Sequence, residues 1–203
     1  MHDEATRREK VHALAGLLWP AMVLVQLVLF AHASRGGAVT FLPWAEGHLV
    51  FAPWLMAIVG AALVTWLGLS AALRFRFGRD PSMRRLRWVV GAASTIFAVI
   101  HGWLVWGRIT FGGADARALW VMSVDSLSHT GPAWGYAFGA AALALQLEQS
   151  AAVASEVFAF PRRERNRLWY RLLAIVLSAL LLLLAYDGLA ALIGGQPLLG
   201  GAG

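Results

Sequence analysis

Residues 172–194 read LLAIVLSALLLLLAYDGLAALIG, an apolar run interrupted by little more than Ser178, Tyr186 and Asp187. A membrane-spanning helix needs about 20 mostly apolar residues, rising about 1.5 Å each, to cross about 30 Å of hydrocarbon. This stretch is long enough. So are four others upstream, roughly His12 to Ala31, Leu49 to Leu73, Trp88 to Gly107 and Pro132 to Phe158. No strand-like alternation competes with them. The reading is an all-α protein, an integral membrane bundle of five transmembrane helices that forms one domain over residues 1–203, with a short leader at 1–11 and a Gly-rich tail at 195–203.

Composition points the same way. The chain has 203 residues, of which 59% are hydrophobic and 14% charged, against roughly 25% charged in an ordinary soluble domain. So few charges leave too little polar surface to cover a core of this length in water, and the apolar content excludes disorder. The net charge of +6 does not imply a nucleic-acid partner, because the basic residues sit in short clusters between apolar runs, as in loops that face anionic headgroups. The chain has no Cys, which excludes disulfides, iron–sulfur ligation, thiolate catalysis and Cys-based zinc sites.

Loop charge sets the expected orientation. Lys and Arg outside the spans number three before the first, then one, six, two and five in successive loops. That bias assigns the N-terminus and the loops 74–87 and 162–171 to the cytoplasm and the C-terminus to the outside. The stretch Ala31-His32-Ala33 resembles a signal-peptide cleavage site, but the apolar run before it is too long and Asp3, Glu4 and Glu9 interrupt the basic leader. Trp44, Trp54, Trp106, Trp120 and Trp134 read as an outer interfacial belt, and Trp88 and Trp169 as an inner one. Gly131, Gly135 and Gly139, at four-residue spacing, read as a face for close packing.

Polar groups at membrane depth are costly unless paired or functional. His101 lies about 21 Å along its helix from Arg87. Its imidazole can ligate haem iron, bond a quinone carbonyl or tie down a neighbouring helix. The run LQLEQS carries Gln146, Gln149 and Ser150 on one face and Glu148 on another. For Glu148, a proton relay and a structural pairing are equally open. His12 stands at the inner mouth of the first span, where it reads as a solvated or headgroup-level residue. His32, His48, His129 and Asp187 fall toward the outer surface as interfacial groups.

In this order of features the chain resembles the five-helix, single-chain cytochrome b membrane anchor of succinate dehydrogenase and fumarate reductase. The resemblance runs from about Arg8 to about Gly194. It is carried by Val11-His12-Ala13-Leu14-Ala15-Gly16 with Pro20 and Gln26 downstream, by TIFAVIHGW around His101, and by the basic linker PRRERNR at 161–167. It implies a bacterial-type inner-membrane subunit, non-catalytic alone, that anchors a flavoprotein and an iron–sulfur subunit at its cytoplasmic face and passes their electrons to membrane quinone.

In the two-haem members each of the first four helices supplies a buried axial His. Here His101 alone is kept, and by spacing the other positions fall near Leu27, Trp66 and Gln146. The expectation is therefore an anchor without haem b, with His12 as donor to a quinone carbonyl. Depth adds Trp66 or Ser70 as wall or donor and Glu148 as proton carrier. Two alternatives stand beside it. One is an electron-transfer subunit holding at most one haem between His101 and His32, and the other is a small non-redox transporter or scaffold.

Overall fold

Inside lipid a backbone N–H or C=O finds no water to bond, and a helix answers this within a single segment. The computed structural model describes residues 7–72, 81–159 and 164–194. Among these residues all regular structure is helical and no strand occurs. The helices are α1 (Arg7–Ser34), α2 (Ala38–Leu49), α3 (Ala52–Ala72), α4 (Pro81–Gly102), α5 (Arg108–Gly112), α6 (Ala116–Ser128), α7 (Thr130–Val157) and α8 (Glu164–Gly194). A π-helical turn, Trp103–Gly107, joins α4 to α5 as one continuous rod.

Among the described residues four segments are long and apolar enough to cross a membrane: Arg7–Ser34, Ala52–Ala71, Arg85–Gly112 and Leu168–Ile193. This is the pattern of a multi-pass membrane protein. Their outward faces are apolar, with Val64, Val99, Leu173 and Val176 exposed, the reverse of what a water-soluble bundle presents. The stretch expected as a further span, Pro132–Phe158, is helical as α7, but the polar run from Gln146 to Ser150 and the small residues of its first half make it less apolar than these four. The expected leader at 1–11 is already helical from Arg7, and the tail at 195–203 lies outside the described residues.

The core forms around α1, which packs on α3, α7 and α8, while α4 packs on α7. Trp19, Val23, Leu24, Phe97 and Leu143 make its centre. The two tightest contacts between helices fall at glycines. A Cβ on Gly188 would run into the Ala31 backbone of α1, and a Cβ on Gly139 would run into the Phe97 ring of α4. Gly131 and Gly135 instead face open space, so the expected glycine face of α7 packs at Gly139 alone and against a side chain.

Two short helices absent from the sequence reading close one end of the bundle. α2 and α6 pack on each other, and Phe41, Ala45, Ala116 and Leu119 join Phe30 and Ala33 of α1 in a second apolar cluster. Asp115 starts α6 by accepting a hydrogen bond from the Ala118 N–H at 2.7 Å, an N-cap. Gly113, at φ 63°, ends α5 in the left-handed conformation that suits glycine. His48 of α2 stacks on Trp44 and meets Gln26 Oε1 of α1 at 2.6 Å.

The structure corrects two interfacial assignments. Asp187 is 1% exposed and ion-paired with Arg35, which anchors α8 to the end of α1. Trp106 is 2% exposed and belongs to the core, whereas Trp103 faces outward. The wider π turn rotates the chain less per residue, so these two indoles, three residues apart, fall farther from alignment than in an α-helix and leave the rod on different sides.

Two outcomes are expected. Gly188→Ala should lower stability by about 1–3 kcal/mol, because backbone atoms of α1 cannot yield as a side chain can, while Gly131→Ala should be near neutral; thermal unfolding in detergent compares them. Burial holds the His48 imidazole below its usual 6.5. The unfolded chain then takes up the proton first as pH falls, so the stability contributed at His48 is complete above about pH 6.5 and declines below it. His48→Gln should blunt the acid-side drop in melting temperature.

Candidate functional site

At the end of the bundle opposite α2 and α6, where α1 and α4 begin and α3 and α7 end, the helices enclose a cavity of about 400 Å³. This size falls within the range of small-molecule sites. The lining follows helical spacing on every wall. His12, Ala13 and Gly16 come from α1, Trp66, Leu67 and Ser70 from α3, and Gln146, Gln149, Ser150 and Val153 from α7. From α4 come Arg87, Trp88, Gly91, Ala92, Thr95 and Ile96. Positions i, i+3 and i+4 recur because one face of a helix presents these residues together.

Three of the four residues expected to handle quinone meet here. His12 Nε2 stands 2.8 Å from Ser70 Oγ, a bond that ties α1 to α3 at the cavity wall. The Trp66 ring lies 6.1 Å from that of His12 at an interplanar angle of 21°, and tilts against Trp19 at 5.7 Å. Its indole crosses from α3 toward α4. A Cβ on Gly16 would stand 2.9 Å from Trp66 Cδ1, and one on Gly91 3.1 Å from Cη2. Both glycines therefore make room for the indole.

Behind Trp66, Gln146 donates to Ser150 Oγ at 3.1 Å. The Thr95 hydroxyl has no hydrogen-bond partner among the described residues. The fourth expected residue, Glu148, is half-buried and stands off the cavity, since its neighbours Gln146, Gln149 and Ser150 take the inward face of α7.

The cavity thus offers an imidazole, three hydroxyls and two amides, each able to donate or accept, within largely apolar walls. Such a set pairs equally well with a carbonyl oxygen and with the hydroxyl that its reduction would leave. Arg87 adds the one formal charge of the lining among the described residues. In the sequence it counts only as loop charge; Gly16 and Thr95 stand there only as members of longer motifs, and nothing marks them or Gly91 as cavity residues until the four helical faces are set against one another.

His101 lies apart from this cavity, 1% exposed. Its Nδ1 meets the Tyr136 hydroxyl of α7 at 3.2 Å, and its ring packs against Phe97 and Trp106. Its Nε2 has no hydrogen-bond partner among the described residues. The other haem-ligand candidate, His32, has an exposed side chain on α1. No group of three or more His, Cys, Asp or Glu suited to a metal ion occurs among the described residues.

Comparison with protein-family models, with curated proteins and with solved structures finds no match to this chain.

The His101–Tyr136 bond joins two helices at depth, and Tyr136→Phe removes it without changing the ring. The expected result is a loss of about 1–3 kcal/mol in thermal unfolding, from a buried imidazole left unpaired. An unchanged melting temperature would show that the bond carries no weight.

Proposed function

We propose that the chain is the membrane anchor and quinone-binding subunit of a succinate dehydrogenase or fumarate reductase complex, working without haem. The observation that carries this reading is the cavity with its His12–Ser70 pair at the basic end of the bundle. A quinone ring placed there would take two electrons from a partner iron–sulfur subunit and two protons from the cytoplasmic side, becoming the quinol. His12 and Ser70 would bond one quinone oxygen, Gln149 and Ser150 the other, and Trp66 would form a wall. Glu148, beside this face, would carry protons between the cavity and the cytoplasm.

In this reading α7 is the fifth span. The N-terminus and the loops 74–87 and 162–171 face the cytoplasm of a bacterial-type inner membrane, and the C-terminus faces outside. The loop-charge bias supports that orientation. The basic loops would also give an acidic surface of the flavoprotein and iron–sulfur partners a place to dock. Trp66 supports the haem-free form, because its indole fills the space between Gly16 and Gly91 at a position where the two-haem members keep an axial His.

A second reading, a single haem b held by His101 and His32, is favoured by one observation, the buried Nε2 of His101, which has no hydrogen-bond partner among the described residues.

Purification of the chain from its native membrane tests these readings together. The expected result is co-purification of flavin- and iron–sulfur-containing subunits with no b-type band in a reduced-minus-oxidised spectrum. His12→Ala should then slow quinone reduction by about 10²-fold while succinate oxidation with a soluble acceptor continues. A b-type signal near one haem per chain would select the second reading. Purification without redox partners would leave a transporter or scaffold.

A further inference from the structure

The cavity has an unequal frame. α1 packs closely on α3, and α4 on α7, but α3 meets the α4–α5 rod chiefly through the π turn and α5 at the far end. Toward the cavity the two helices stand apart among the described residues, and the Trp66 indole reaches across to Gly91. The space beside that bar is flanked by Leu67, next to Trp66 on α3 and 41% exposed, and by Ile96, on the next turn of α4 beyond Gly91 and 60% exposed. Both line the cavity and also face outward. Beyond them on the same side lie Val64 and Val99, also exposed.

The lining is mixed. Of the groups able to bond a ligand oxygen, His12, Gln146, Gln149 and Ser150 belong to α1 and α7, across from the gap, and α3 and α4 add Ser70, Thr95 and Arg87. The gap itself is bordered by Leu67, Ile96 and the Trp88 ring. A wholly polar solute would gain little from these three apolar surfaces, and a wholly apolar one would leave the polar groups of the lining unbonded.

We infer that the cavity opens sideways into the bilayer between α3 and α4, and that its ligand is a tailed amphiphile which enters from the lipid. The ring lies against His12 and Trp66, and an apolar tail leaves past Leu67 and Ile96. The identity of the ring as a quinone rests on the function proposed above. The sideways opening rests on helix placement alone.

The absence of Cys makes the test direct, because a single introduced thiol labels cleanly. Leu67→Cys and Ile96→Cys, each carrying a bimane fluorophore, are reconstituted in lipid nanodiscs beside Val176→Cys, an exposed lipid-facing control on α8. The probes are an isoprenoid-tailed benzoquinone and the same ring without its tail. The expected result is a saturable loss of emission at positions 67 and 96 with the tailed probe, and no saturable loss at 176.

Quenching at 67 and 96 that never saturates, or matches that at 176, overturns the opening. If unlabelled chain still binds the tailless ring in equilibrium dialysis, that failure belongs to the opening and the quinone reading survives. If neither probe binds, both fall.

Discussion

Every polar group in this bundle that lies away from water needs a partner supplied by the chain itself. Hydroxyls of Ser34, Ser94 and Ser123 bond back to carbonyls of their own helices. Larger groups meet between helices: His12 with Ser70, Gln26 with His48, His101 with Tyr136, and Arg35 with Asp187. Three of those four pairs have a member on α1 or just beyond its end. α1 is therefore the strut on which α2, α3 and α8 are each fixed by one polar contact as well as by apolar packing. The apolar packing supplies area, and the polar pairs fix which way each helix is turned.

The two ends of the bundle meet this requirement differently. At one end α2 and α6 fold over the helices and bury the aromatic cluster of Phe30, Phe41, Trp44 and Trp120. At the other, Trp66 holds α3 away from α4, and the polar side chains of α1 and α7 line a space. Gly16 and Gly91 are the condition for that arrangement, since a methyl group at either would press on the indole. A large side chain thus props the site open, and two missing side chains let it do so.

Much of this was legible in the sequence, and the misses have physical causes. Apolar runs announce their helices because lipid tolerates little else. The polar face of Gln146, Gln149 and Ser150 follows from helical spacing, as does the turning away of Glu148. α2 escaped notice because AVTFLPWAEGHL is short, carries Pro43 and Glu46, and is stabilised by α6 more than by its own composition. Trp106 reads as an interfacial residue from its position near the end of a span, and the π turn and the cluster that bury it leave no local pattern. The partner of Asp187 could not be read at all. An ion pair between distant positions leaves no local pattern, and a lone acid near a span end looks the same whether it faces headgroups or an arginine.

That ion pair also has a consequence in time. Arg35 and Asp187 are 152 residues apart in the chain. At roughly 5–20 residues per second, a ribosome makes the second roughly 8–30 s after the first. Through that interval α1 is in place without α8, and the surface around Ala31 that Gly188 will cover stays open to lipid or to whatever escorts membrane proteins during insertion. The helix at the centre of the bundle thus waits for α8, and its Ala31 surface is covered only when that helix arrives.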